Sequence, residues 1–102
     1  MNENVDRFVL KLFITGRTER SENAITTLRQ ICRETLSNRY ELLIIDVLEH
    51  PDLAEEDRIL ATPTVIKELP PPMRTIIGDL SEKERVLLGL NLTLDSNDGD
   101  AA

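Results

Sequence analysis

One stretch decides how this chain folds: residues 61–81, which read ATPTVIKELPPPMRTIIGDLS. Residues 65–69 and 73–77 are rich in side chains that favour strands. Residues 70–72 between them are all prolines, which cannot donate ladder hydrogen bonds and therefore belong in the connection. Two strands joined by so short a connection are predicted to pair antiparallel.

The residues that follow predict a closing helix. Gly78 and Asp79 are typical of a turn, and Ser81 with Glu84 has the spacing of a capping box. The apolar positions at helical spacing after the cap are Val86, Leu87 and Leu90.

The residues that precede the stretch predict a βαβ unit. Residues 8–15 and 41–48 are nearly continuous apolar runs, as in parallel strands buried on both faces. Between them an apolar stripe recurs at helical spacing, and Ser21 is a suitable N-cap for this helix. The stripe consists of Ala24, Ile25, Leu28, Ile31, Cys32 and Leu36.

A short second helix is predicted to begin at Pro51, a residue type favoured at the first helical position. Its predicted apolar contacts are Leu53, Ala54, Ile59 and Leu60. The complete order is βαβαββα, an α/β fold with a mixed sheet. The acidic residues near this helix indicate either a solvated face or a docking surface: Glu49, Asp52, Glu55, Glu56 and Asp57.

This order, with Pro63 just before the third strand, resembles the thioredoxin-like fold, which implies a cis peptide bond at Pro63 as an architectural feature. Redox members of that fold keep a dithiol in the turn between the first strand and first helix. Here residues 16–21 read GRTERS and contain no cysteine. Cys32, the single cysteine, lies on the apolar stripe and is predicted to be a core residue. The sequence therefore favours a binding module over an enzyme.

Length and charge restrict the other possibilities. The chain has 102 residues, predicted as one domain over residues 1–94 and an acidic disordered tail over residues 95–102. A net charge of -7 and an aromatic content of 3% argue against nucleic-acid binding. No apolar run approaches the ~20 residues that span a bilayer, no signal peptide is recognisable, and we predict a cytoplasmic protein.

No metal or cofactor site is predicted. His50, the single histidine, could act with Glu55 or Glu56, but further ligands are missing from its neighbourhood. Residues 95–100 resemble a calcium loop only superficially, because the glycine is misplaced and no distal glutamate follows. The sequence contains no Gly-rich phosphate loop and no zinc-ligand spacing.

Over nearly its whole length the chain also resembles the KaiB family of cyanobacterial circadian-clock proteins. The N-terminal sensor domain of the clock kinase SasA is similar too. The segments that carry the KaiB resemblance are residues 9–12 (VLKL), 45–48 (IDVL), 53–64 (LAEEDRILATPT), 69–72 (LPPP) and 76–81 (IIGDLS).

The resemblance implies a non-catalytic regulator that binds the N-terminal ring of the ATPase KaiC and competes with SasA. The basic residues at positions that match the KaiC-facing sites of the family are Arg58, Lys67 and Arg74. Capture of a further clock protein, KaiA, is less well supported, because Glu41 and Leu43 replace a small and a basic residue associated with it. These departures indicate a divergent paralogue.

Two alternatives stay open on the sequence. KaiB proteins switch between a ground-state fold, commonly tetrameric, and a monomeric thioredoxin-like fold; the local preferences of residues 61–90 favour the second. A thioredoxin-type redox enzyme or chaperone is the alternative function, and the missing dithiol argues against it.

Overall fold

A computed structural model describes residues 7–37 and 39–92. Four strands and three helices follow one another in these residues in the predicted order βαβαββα. Their bounds are β1 Phe8–Ile14, α1 Glu19–Thr35, β2 Tyr40–Asp46, α2 Pro51–Glu56, β3 Thr64–Leu69, β4 Arg74–Ile77 and α3 Lys83–Gly89.

The four strands form one mixed sheet in the order β2-β1-β3-β4. Strand β1 pairs parallel with β2 and antiparallel with β3, and β3 pairs antiparallel with β4. The prolines at 70–72 lie in the β3–β4 connection, as predicted, with cis bonds before Pro70 and Pro72. Strands β2 and β4 are therefore the two edges of the sheet.

Both faces of the sheet are covered, which explains why β1 and β3 read as apolar runs. One face packs against α1 and α3 and forms the larger hydrophobic cluster, which we call the first cluster. The other face packs against α2 and forms a smaller one, the second cluster. The first cluster contains Leu10, Leu12, Ile14, Ala24, Ile25, Leu28, Ile31, Cys32, Leu36, Val65, Ile76, Leu80, Val86, Leu90 and Leu92. The second contains Phe13, Ile45, Ala54 and Ile66.

The predicted N-cap of α1 was wrong. Thr18 is the N-cap, in an extended conformation, and its Oγ1 accepts the backbone N–H of Ser21 at 3.1 Å. Ser21 lies in the first turn and is buried. Both hydroxyl residues suit a cap, but the extended backbone at Thr18 makes it the residue that enters the helix.

The predicted capping box of α3 was also wrong. Helix α3 begins at Lys83 with Glu82 as its N-cap, and no side chain forms a cap hydrogen bond there. Ser81 instead donates its N–H to Asp79 Oδ1 at 3.0 Å, closing a turn ahead of the helix. Bonds from the Ser81 side chain and backbone hold the pKa of Asp79 below its ordinary value.

Leu60 was wrongly predicted as an apolar contact of α2. The helix ends at Glu56, and Leu60 is 94% exposed. The predicted tail at residues 95–102 and the domain boundary at residue 94 lie outside the described residues. Within residues 7–37 and 39–92, none of the helices combines the length and hydropathy needed to cross a bilayer.

Close packing of α3 on β4 depends on Gly89. A Cβ at this position would lie 2.6 Å from Cδ1 and 2.9 Å from Cγ1 of Ile76, a side chain held in the first cluster. Both distances are too short for carbon atoms in contact, so any larger residue at position 89 must displace Ile76 or the helix.

We expect Gly89→Ala to lower the free energy of unfolding by about 1 kcal/mol, because overpacking costs ~1–3 kcal/mol and the helix-propensity gain of alanine offsets at most ~1 kcal/mol. Urea denaturation monitored by circular dichroism measures the change. In an Ile76→Val background, which lacks Cδ1, the cost of Gly89→Ala should be smaller. An equal cost in both backgrounds would show that Ile76 does not limit the packing.

Candidate functional site

The turn between β1 and α1, where redox members of this fold carry their dithiol, is a hydrogen-bonded structural turn in this chain. The Gly16 N–H donates to Asp46 Oδ1 at 3.0 Å, and the Leu48 N–H donates to the same oxygen at 3.0 Å. These two hydrogen bonds hold the pKa of Asp46 below its ordinary value, and the bond from Gly16 has the larger effect. The carboxylate thus ties the turn to the end of β2.

The cis Thr62-Pro63 bond lies beside this turn, as predicted. The hydroxyl groups of Thr15 and Thr62 are 2.6 Å apart and share a hydrogen bond. The Pro63 carbonyl accepts the Gly78 N–H at 3.0 Å, which joins the proline segment to the end of β4. Hydroxyl and backbone groups therefore occupy the region in which redox relatives perform thiol chemistry.

Cys32 belongs to the hydrophobic core and is not part of this turn. Its side chain is fully buried in the first cluster, and burial raises the pKa of the thiol to about 12. A thiol with this pKa is almost wholly protonated at neutral pH and is a poor nucleophile. The prediction of a core cysteine is confirmed.

A groove of about 790 Å³ opens between α2 and the segment that leads to Pro63. We call it the Arg58 groove; its lining includes Val47, Ala54, Arg58, Ile59, Leu60 and Thr62. Arg58 has a positive φ of 57° and an exposed side chain. It also borders a smaller hollow of about 200 Å³ next to β4, so it stands on a ridge between two apolar depressions.

Lys67 and Arg74 lie together, but on the other face of the sheet. Lys67 is opposite Leu10 in β1 and opposite Arg74 in β4, and it shares its face with Val65 of the first cluster. Arg58 instead borders the hollow lined by Thr64 and Ile66. Thr64 precedes Lys67 by three residues, about 10 Å of strand. The structure therefore separates Arg58 from the other two predicted contact residues.

Burial distinguishes the two cations of this pair. Lys67 is 1% exposed, whereas Arg74 is exposed. Desolvation, and then the charge of Arg74, lower the pKa of the Lys67 ammonium. Burial of Lys67 could not be read from the sequence, since lysine is almost never fully buried without a partner.

Lys11 is a charged residue that the sequence did not single out. Its ammonium lies 2.8 Å from Glu68 Oε2 and 3.0 Å from Asp57 Oδ2, a network that joins β1, β3 and the end of α2. The hydrogen bond that the Lys11 ammonium donates to Glu68 is the main reason that the pKa of Lys11 is raised. The three residues are far apart in sequence, so only the folded chain shows their pairing.

The remaining acidic residues near α2 are exposed: Glu49, Asp52, Glu55 and Glu56. Among the described residues, no three or more His, Cys, Asp or Glu side chains are grouped so that they could hold a metal ion. Glu41 and Leu43 lie on the edge strand β2, where Glu41 pairs with Arg7 at 3.9 Å and Leu43 is partly exposed.

Comparison with known proteins identifies relatives in sequence. The KaiB domain family matches residues 11–92. Circadian clock protein KaiB3 of Synechocystis sp. is 53% identical over 89 residues, covering 87% of each chain. Circadian clock oscillator protein KaiB of Prochlorococcus marinus is 58% identical over 85 residues, covering 83% of this chain and 73% of the relative.

Solved structures confirm the thioredoxin-like fold. The N-terminal domain of SasA from Synechococcus elongatus superposes with a TM-score of 0.68 at 22% identity, covering 88% of this chain and 89% of that domain. The thioredoxin Deadhead of Drosophila melanogaster superposes with a TM-score of 0.66 at 16% identity, covering 83% and 79%. Identities this low establish the fold and nothing further.

We expect Cys32 to resist thiol reagents in the native protein, because its thiol is both buried and protonated. Titration with Ellman's reagent at about pH 8, near the ordinary thiol pKa, should give no reaction until guanidinium unfolds the chain. Unfolded protein is the control for reagent access. Rapid reaction of the folded protein would return Cys32 to consideration as a redox group.

Proposed function

The chain belongs to the KaiB family, and we propose that it is a non-catalytic clock regulator that binds the N-terminal ring of a KaiC-type ATPase. The match over residues 11–92, with relatives named as circadian clock proteins, is the observation that supports the proposal most strongly. The cysteine-free turn at residues 16–21 and the inert Cys32 are consistent with a role in binding. In the thioredoxin-like fold we propose that the chain acts as a monomer.

We assign the contact to the β4 edge of the sheet. A partner that covers this edge would reach Arg58 on one face and Arg74 on the other, because β4 is the outermost strand. Leu60 and Ile77, which are 94% and 56% exposed, offer apolar area beside Arg58. Exposed apolar side chains next to exposed arginines are typical of interface anchors.

Charge complementarity explains why arginines should dominate this contact. The protein carries a net charge of -7, so long-range attraction to an acidic partner is weak and recognition depends on charge pairs formed at contact. Arginine is suited to such pairs because its planar fork binds a carboxylate through two hydrogen bonds. Glu41 and Leu43, which replace residues associated with KaiA capture, lie on the opposite edge strand, β2. KaiA is therefore a secondary candidate partner.

We expect Arg58→Glu and, separately, Arg74→Glu to weaken binding to a purified KaiC N-terminal-domain hexamer by at least about tenfold, or about 1.4 kcal/mol. Isothermal titration calorimetry measures the affinity, and circular dichroism checks the fold. Arg29→Glu, which makes the same charge change on the exposed side of α1, is the matched control and should bind as the natural sequence does. Equal losses in all three variants would indicate a net-charge effect and remove the two arginines from the interface.

A further inference from the structure

Helix α2 ends in a turn that fixes the backbone of Arg58. The Arg58 N–H donates to the Glu55 carbonyl at 3.1 Å, and the Ile59 N–H donates to the Ala54 carbonyl at 2.8 Å. Between these bonds Arg58 has a left-handed φ of 57°. Ile59 also packs against the second cluster, which contains Ala54. This bonding pattern is the Schellman motif, with Arg58 as the first residue beyond the cap.

Arginine is an unusual residue at this position. Glycine, or less often asparagine, is favoured there, because a left-handed backbone brings the Cβ of other residues too close to the following carbonyl oxygen. Helix α3 ends in the same motif and has an asparagine, Asn91, with a φ of 60°. What arginine adds at position 58 is an exposed guanidinium on the ridge beside the Arg58 groove.

An ion-pair network lies directly before Arg58. Asp57 is the C-cap of α2, and its Oδ2 lies 3.0 Å from the Lys11 ammonium. The same ammonium lies 2.8 Å from Glu68 Oε2. Lys11 and Glu68 belong to β1 and β3, the two strands that have neighbours on both sides. The three side chains are partly buried, so water and salt screen these pairs less than exposed ones. Asp57 is thereby tied to the interior of the sheet.

Loss of the Lys11 ammonium would act on Asp57 first. Both carboxylates lie within 3.0 Å of Lys11 Nζ, so without it two negative charges would face each other. Repulsion would drive Asp57, at the end of a short helix, away from Glu68, which is held within β3. Because Arg58 is the next residue along the chain, displacement of Asp57 would also move its guanidinium.

We propose that Lys11 is a positioning residue for Arg58. Through Asp57, its ammonium holds the end of α2 against the sheet and keeps Arg58 in the left-handed conformation in which its side chain is exposed. Glu68 fixes the ammonium in turn. The consequence for affinity rests on the proposed function, in which Arg58 contacts the ring of a KaiC-type ATPase.

The first measurement needs no partner. Residual dipolar couplings report the orientation of the backbone N–H bonds of residues 57–59. Lys11→Met should change these couplings and leave those of α1 and α3 unchanged. Lys83→Met is the matched control, because it makes the same charge change at an exposed ion pair, 2.9 Å from Glu34, and should not affect residues 57–59. Asp57→Ala breaks the same link without leaving two carboxylates face to face, so it serves as the second variant if Lys11→Met does not fold.

The second measurement is a double-mutant cycle in calorimetric titrations with the purified KaiC N-terminal-domain hexamer. Lys11→Met should weaken binding by at least about threefold, the order expected when an interface side chain has to be ordered on binding. Arg58→Ala keeps a Cβ in the left-handed turn but removes the guanidinium, so Lys11→Met should cause no further loss in that background. Lys83→Met should bind as the natural sequence does.

The results distinguish the positioning role from the proposed function. Unchanged couplings at residues 57–59 in folded Lys11→Met and Asp57→Ala would overturn the positioning role. Equal losses from Lys11→Met with and without the Arg58 guanidinium would overturn it too, because Lys11 would then affect affinity by another route. If Arg58→Ala binds the hexamer as tightly as the natural sequence while the couplings change as expected, the proposed contact at Arg58 fails and its positioning by Lys11 stands.

Discussion

The antiparallel pairing of β3 with the central strand β1 is the constraint on which the other features of the molecule depend. It places β3 inside the sheet, where both of its faces must be covered. Val65 then faces the first cluster and Ile66 faces the second. Since side chains alternate along a strand, the same pairing fixes the face on which Lys67 must lie.

Two lysines show what this alternation does to charge. Lys11 and Lys67 both lie on interior strands, but on opposite faces of the sheet. Lys11 meets Asp57 and Glu68, whose carboxylates neutralise it. Lys67 meets a like charge in Arg74. Lys11, with two partners, joins the end of α2 to the sheet, whereas Lys67 forms no such ion pair with any residue that the structure describes.

The turn between β1 and α1, where redox members of this fold carry a dithiol, is held by hydrogen bonds in this chain. Asp46 fixes the turn at Gly16, and the Thr15 and Thr62 hydroxyls connect that turn to the cis-proline segment. This arrangement keeps the geometry of the scaffold without a reactive group. The exposed surface along α2, the segment before Pro63 and β4 is the part of the molecule to which we have assigned partner binding.

The sequence by itself determined the secondary structure and the sheet type of this protein. Apolar periodicity and proline placement are local properties, and they were sufficient for the element order, the mixed sheet, the cis bond at Pro63 and the burial of Cys32. The N-cap of α1 at Thr18 and the turn that Asp79 closes ahead of α3 were not predictable, because several hydroxyl and carboxyl side chains nearby could serve and the backbone angles decide between them.

Only the tertiary structure decided how the charged residues are grouped. Arg58, Lys67 and Arg74 look equivalent in the sequence, yet strand register and sheet order place the first on one face and the other two on the opposite face. The ion pairs of Lys11 and the burial of Lys67 likewise depend on contacts between residues distant in sequence. Burial and pairing of a charge are properties of the assembled sheet, and a local pattern of residues does not contain them.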